Sequence, residues 1–181
     1  MVLNRAVVID MLCKKRLNIL TKEQREDLLL DWWGLDDEDV AFEQLSDELR
    51  AELLSAESPC YDIMLERYNS LILLALKYKY EGVTNEYIAN EATRIFDVTY
   101  EVCGEIEDLY ECPCCNYKTL HFRGEYDICP LCHWEDDGMY EPNQYSAVNH
   151  MTLSEGRKRF QQSGILDMKI HKYAMGKKRL Q

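Results

Sequence analysis

Long apolar runs are missing from this chain of 181 residues. The longest uninterrupted one, Leu71–Leu76, falls far short of the roughly 20 residues a membrane-spanning helix needs. The opening Met1-Val-Leu-Asn-Arg-Ala has no basic stretch leading into an apolar segment and a cleavage site. A leader is therefore not expected, and the expected setting is soluble, reducing and cytoplasmic. Also missing are a Gly-rich phosphate loop, a Gly-x-Ser-x-Gly elbow and a His-Glu-x-x-His pair, which carry phosphoryl, acyl-transfer and metalloprotease chemistry. Histidine is scarce, with only His121, His133, His150 and His171, whereas a catalytic zinc wants three protein ligands and an open position. The expectation is that the protein is not an enzyme. Cations are few over residues 1–110, which carry 11 Lys/Arg against 24 Asp/Glu, net −13. Such a body repels nucleic acid and attracts cationic proteins.

Cysteine is what the chain does have. Six of its eight cysteines fall within 103–132, a local cluster rather than the spread framework of a disulfide-stapled secreted domain. Cys112-Pro113-Cys114-Cys115 and Cys129-Pro130-Leu131-Cys132 are two Cys-x-x-Cys turns, each with proline after its first cysteine, separated by thirteen residues. Each such turn lets two thiolates converge on one ion, so the pair makes a closed tetrahedral four-sulfur site. The expected ligands are Cys112, Cys115, Cys129 and Cys132, and the expected ion is one structural Zn2+, although iron suits the same donors. Cys114 is left as a spare thiol, since a four-coordinate site has no place for a fifth sulfur. His133 remains an alternative ligand beside Cys132, with a place behind or outside the site as the commoner fate. Cys13, Cys60 and Cys103 lie singly on apolar segments and are expected as small core residues.

The run Cys112–Leu120, then Gly124–Gly138 with its Cys-Pro-Leu-Cys-His-Trp-Glu-Asp-Asp, then Pro142-Asn143 and Asn149–Arg157 resembles the bacterial CPCC family of cysteine-rich proteins. The resemblance covers about residues 111–164, under a third of the chain, and implies a zinc-ribbon module. It does not imply an activity, because fold and function separate. Two positions depart from the family pattern. Asn116 stands where Cys-Gly usually follows the first knuckle, and His133 stands where an apolar aromatic usually follows the second. Asn tolerates the left-handed backbone that a knuckle's last residue often needs.

Apolar periodicity and caps predict a mainly α chain. A short helix runs from about Asn4 to Lys14-Lys15-Arg16; a second opens at Thr21 with Gln24 completing a capping box and stops at Gly34. After the acidic linker Asp36–Asp39 a third covers about 42–56, with a break near Ser46. A long one is expected over Asp62–Tyr80, and another, capped by Thr84, over Asn85–Phe96. The last pair is not read as a DNA-binding helix-turn-helix, since residues 84–97 offer only Arg94 against Glu86, Glu91 and Asp97. An edge strand is expected through Leu109-Tyr110-Glu111, and a β-hairpin pairing Tyr117–His121 with Tyr126–Cys129. Thr152 and Glu155 then cap a helix to about Ser163-Gly164. Trp134 is expected to pack the ribbon onto that helix, and Glu135, Asp136 and Asp137 to form a solvated loop in which one carboxylate caps backbone N–H groups. The expected organisation is an acidic helical domain at 1–108 and a small zinc-ribbon domain at 109–181. Residues 156–181, net +7, form the basic tail of the second domain.

The leading expectation is thus a non-enzymatic, zinc-stabilised protein-binding protein. The surface expected to meet a cationic partner is Asp36, Asp37, Glu38, Asp39, Asp47 and Glu48. Its sharpest form is a bacterial immunity protein neutralising a toxin domain. A second reading is a zinc-ribbon nucleic-acid-binding or transcription accessory protein acting through Arg157, Lys158, Arg159, Lys177, Lys178 and Arg179. A third is a thiol-based redox protein using Cys114.

Overall fold

Four of the six α-helices among the described residues begin where a Ser or Thr side chain caps them. The structure is a computed structural model that describes residues 1–60, 62–162 and 172–176; the basic tail positions Lys169, Lys177, Lys178 and Arg179, with His171, lie outside these. Strand β1 (Val2–Asn4) leads directly into α1 (Arg5–Leu17). Thr21 caps α2 (Lys22–Trp32) through the reciprocal box with Gln24, which satisfies two backbone donors that no helical carbonyl can reach. The break expected near Ser46 is present. A 3-10 turn at Phe42–Gln44 ends at Leu45, and Ser46 Oγ then accepts the Leu49 N–H to start α3 (Asp47–Ser55).

The long helix expected over Asp62–Tyr80 is shorter. A 3-10 turn occupies Glu66–Tyr68, and α4 runs Asn69–Tyr78. Asp62 supplies the reason: its carboxylate accepts the Met64 N–H and its carbonyl the Leu65 N–H, giving that backbone a turn in place of helix. Thr84 caps α5 (Asn85–Phe96), which closes on Asp97 in the left-handed conformation (φ 56°). Four short strands follow: β2 (Glu101–Cys103), β3 (Tyr110–Glu111), β4 (Lys118–Leu120) and β5 (Tyr145–Ser146). The last elements are β6 (Met151–Thr152) and α6 (Leu153–Gln162), whose start carries the expected Thr152–Glu155 box.

Two compact units result: Ala6–Glu81, and Met1–Arg5 with Gly82–Gln181. The division falls between Glu81 and Gly82, whereas the sequence reading divides the chain after 108. The first unit is all helix and has an aliphatic core in which Val8, Leu12, Leu29, Leu49, Leu71 and Ile72 are inaccessible to water. Burial of that kind stabilises by about 25 cal/mol per Å². Trp33 packs edge-on against Tyr68 and donates its indole N–H to the Ala56 carbonyl. Asp10 on α1 reaches Lys77 on α4 at 3.0 Å.

The second unit is built from pairs of strands. β1 and β2 pair in parallel, Val2 opposite Glu101 and Asn4 opposite Cys103, a contact between chain segments 99 residues apart that no local pattern announces. Arg5 fixes it. Its guanidinium, 4% exposed, donates to the Val83 carbonyl, to Asn85 Oδ1 and to both carboxylate oxygens of Glu107. The carboxylate of Glu107 also takes the Gly82 N–H. Segment 172–176 crosses the unit: the Lys172 carbonyl accepts the Thr84 N–H, the Ala174 carbonyl accepts the Lys118 N–H, and Gly176 N–H reaches the Asn116 carbonyl. That segment ties the start of α5 to β4. No helix among the described residues is long and apolar enough to cross a membrane.

Burial raises the Glu107 pKa, but its bonds to Arg5, its own backbone N–H and Gly82 outweigh this and leave it lowered. A carboxyl held low in the folded state contributes stability above its unfolded pKa and loses it as pH falls through the folded one. Arg5→Ala, which strips hydrogen bonds from three acceptors, should cost about 2 kcal/mol at neutral pH. The gap between wild type and Glu107→Gln should shrink as the pH is taken below about 4. Thermal melts at two pH values check both.

Candidate metal centre

Each cysteine knuckle is a tight turn closed by its own backbone. In the first, Asn116 N–H donates to the Cys112 carbonyl and Cys112 N–H to the Tyr117 carbonyl. In the second, His133 N–H donates to the Cys129 carbonyl and Cys129 N–H to the Trp134 carbonyl. Asn116 (φ 65°) and His133 (φ 60°) are both left-handed, so the two departures from the family pattern occupy equivalent positions that reverse the chain. Neither position demands glycine, because each strained residue is held by a hydrogen bond on both sides of the turn.

The knuckles also explain how the strands pair. The expected hairpin between Tyr117–His121 and Tyr126–Cys129 is not formed; each arm pairs across its own knuckle instead. β3 and β4 flank the first, with Tyr110 opposite Leu120 and Glu111 opposite Lys118. Around the second, Tyr126 N–H reaches the Asp136 carbonyl, Asp136 N–H the Asp127 carbonyl, and Ile128 bridges Glu135. A Cys-Pro-x-Cys turn brings its two flanks to antiparallel pairing distance, and that local closure outcompetes pairing between the two arms.

The two turns bring Cys112, Cys115, Cys129 and Cys132 together, all four sulfurs lying within 4.8 Å of one another. Cys112 Sγ is 3.6 Å from Cys132 Sγ, and Cys115 Sγ is 3.7 Å from Cys129 Sγ. Four thiolates at about 2.3 Å from one tetrahedral ion stand about 3.8 Å apart. The cluster can hold one metal ion. His133 is not part of it among the described residues.

The thiols on their own are electrostatically frustrated. Hydrogen bonds from Cys112, Cys115 and Cys132 hold Cys129 far below the usual thiol range. Bonds to Cys112, Cys129 and Cys132, with burial, push Cys115 far above it, and Cys112 and Cys132 also move up. One thiolate stabilised by three thiols is all such a site tolerates without a counter-charge; a divalent ion permits four.

Residues behind the ligands hold them in place. Thr119, 2% exposed on β4, brings its hydroxyl to 3.1 Å from Cys129 Sγ. Arg157 on α6 donates through Nε and Nη2 to the Pro113 carbonyl at 3.2 and 3.1 Å, so one cation of the expected nucleic-acid set is bonded to the first knuckle. Trp134 packs the second knuckle against α6, as expected: a Cβ on Gly156 would sit 2.8 Å from its Cζ3 and 3.4 Å from Cys114 Sγ. Cys114, the spare thiol, is buried under that helix. Tyr173, 5% exposed, has its hydroxyl pushed up to about 12, by burial first and by Cys129 next. Neither Thr119 nor Gly156 stands out as part of a site in the sequence, and Arg157 does so only as a nucleic-acid contact; the alternation of β4 alone hints that Thr119 faces inward.

Other expectations fall differently. Cys13 is buried as expected, but Cys60 is half-buried and Cys103 exposed. Asp136, expected in a solvated loop, is wholly buried and accepts Arg123 Nε at 2.9 Å and Gly124 N–H at 3.1 Å. Asp137 accepts the Ser146 hydroxyl at 2.6 Å. The loop carboxylates thus organise backbone and do not converge on an ion. Asp36, Asp37, Glu38, Asp39, Asp47 and Glu48 are all exposed in the helical unit. Asp36 and Asp39 accept backbone N–H groups of their own turn, Asp47 pairs with Arg50, and Glu48 lies 3.4 Å from Arg67.

Thr119→Val should keep the fold and weaken metal binding about tenfold, read by chelator competition. Gly156→Ala should cost about 2 kcal/mol, because the helix must lift off Trp134. No curated protein and no solved structure matches the chain. A known family described as Cysteine-rich CPCC matches residues 110–179, so the stretch that holds both knuckles, α6 and the crossing segment 172–176 is a CPCC segment, as the motifs of the sequence imply.

Proposed function

We propose that the cluster holds one structural Zn2+ and that the protein is a non-enzymatic binding protein. One observation carries this reading: four cysteine sulfurs on two equivalent turns lie within 4.8 Å of one another, and two of the pairs, at 3.6 and 3.7 Å, stand near the edge length of a tetrahedral four-sulfur site. Four thiolates fill the coordination sphere of zinc and leave no position for water or substrate. The metal's work is then to fold the ribbon, whose strands of two or three residues bury too little to stand alone, and zinc supplies on the order of 10 kcal/mol.

The acidic helical unit supports the second half of the proposal. Its exposed carboxylates suit a cationic protein partner, and the sharpest form of the reading is an immunity protein that neutralises a basic toxin domain. Exposed clusters act chiefly on encounter, so Asp36, Asp37, Glu38, Asp39, Asp47 and Glu48 would steer the partner in.

Native mass spectrometry of the purified protein should find one zinc per chain in a colourless sample; a red, iron-loaded protein would replace zinc by a rubredoxin-type centre. Affinity purification from the native cell should recover a stoichiometric basic protein, toxic when expressed alone. Nucleic acid in place of a protein partner would overturn the binding reading in favour of a transcription accessory role. Reversing the six charges should slow association and flatten its salt dependence.

A further inference from the structure

The helical unit carries a groove that the acidic clusters of the sequence do not foreshadow. It is open, about 730 Å³ in volume, and lies between the end of α1 with its turn, α2, and the end of α4. Leu20, Leu28 and Leu76 form its floor, and Ile19 stands at the rim with 69% of its surface in water. One wall is α2, where Gln24, Asp27, Leu28 and Asp31 fall at positions i, i+3, i+4 and i+7 and so share one face. Asp27 and Asp31 are exposed, and neither holds an ion pair among the described residues. On the opposite wall Lys79 is likewise exposed without an ion pair, while the Arg16 guanidinium lies over the Tyr80 ring at 5.5 Å.

An apolar floor between unpaired aspartates on one side and an unpaired lysine on the other is a specification for a helix. We infer that the groove docks an amphipathic helix of a partner protein. That helix would set an apolar stripe on Ile19, Leu28 and Leu76, with Lys or Arg along the flank facing Asp27 and Asp31 and an acidic flank facing Lys79. Charge complementarity chooses this occupant. A wholly acidic helix would meet Asp27 and Asp31 with like charge, and a wholly apolar one would leave both carboxylates and Lys79 losing water with nothing in return. The inference rests on the protein-binding reading and deepens it by dividing the work. Of the 36–48 acids, Asp36 and Asp39 accept N–H groups of their own turn and Asp47 and Glu48 face arginines; standing apart from the groove, this cluster acts at long range. Asp27, Asp31 and Ile19 make the docked contact, and their loss speeds dissociation.

The test uses the full chain, metal loaded, and a synthetic peptide of about 18 residues with a Leu stripe at helical spacing, Lys on one flank and Glu on the other. Binding is followed by surface plasmon resonance. Asp27→Asn with Asp31→Asn should raise the dissociation rate about tenfold, and Ile19→Asp should do at least as much. Asp36→Asn with Asp37→Asn removes the same charge and should change only the association rate, by about twofold or less. Equal effects of the two Asn pairs would mean diffuse attraction and overturn the groove, as would no binding at about 1 mM peptide. A native basic partner whose dissociation ignores Asp27, Asp31 and Ile19 would sink the groove and leave the protein-binding reading standing. A peptide that obeys them while no native protein partner exists would do the reverse.

Discussion

Four sulfurs crowded within 4.8 Å are the constraint on which the ribbon depends. Bringing four thiolates together without a cation is prohibitively repulsive, and the shifts within the cluster express this: one thiol is driven down and three are driven up. An ion reverses the sign of the problem, converting mutual repulsion into four bonds that cross-link chain segments far apart. What surrounds the cluster serves that conversion. Thr119 offers a hydroxyl to Cys129, Arg157 clamps Pro113, and α6 lies on Trp134 at a distance only glycine allows. With strand pairs of two or three residues, no hydrogen-bonded sheet among the described residues is large enough to do the work that an ion in the cluster would do.

The two units therefore draw their stability from different sources. Ala6–Glu81 has an aliphatic core and paired aromatics of the kind that sustain an ordinary helical domain. Met1–Arg5 with Gly82–Gln181 has instead a four-cysteine cluster able to hold a metal ion and a buried arginine with three acceptors. The first source is diffuse and tolerates exchange of one hydrophobe for another. The second is concentrated in a few atoms, so single substitutions there have large local effects.

Features that depend on neighbours in sequence were legible beforehand. The Thr21–Gln24 and Thr152–Glu155 boxes, the Thr84 cap and the Ser46 break are all present, since each is a side chain satisfying a backbone group three residues away. The cysteine spacing told of the cluster for the same reason: a Cys-x-x-Cys turn is local, and two of them leave one geometry. What escaped was long-range or competitive. Nothing about Val2–Asn4 declares a parallel partner at Glu101–Cys103, and nothing about Arg5 declares Glu107. The supposed hairpin failed because each arm had a nearer partner across its own knuckle. Asp136 read as solvated in a run of three acids, yet it is the one that turns inward to Arg123.

Net charge was the least informative reading of the acidic unit, because it counts carboxylates without asking which are already occupied. Asp10 answers Lys14 and Lys77, Glu52 answers Arg67, and Asp47 answers Arg50; such pairs contribute little to stability and present little field to a partner. Two of the linker acids, Asp36 and Asp39, bend back on N–H groups of their own turn. A carboxylate recognises something else only if it is free, fixed and beside apolar surface that gains by being covered. Asp27 and Asp31 meet all three conditions: α2 holds them in place, no ion pair among the described residues spends them, and Ile19, Leu28 and Leu76 lie beside them in the groove. On the proposed reading, the acidity of the chain as a whole would bring a cationic partner near, while two aspartates and an isoleucine would decide whether it stays.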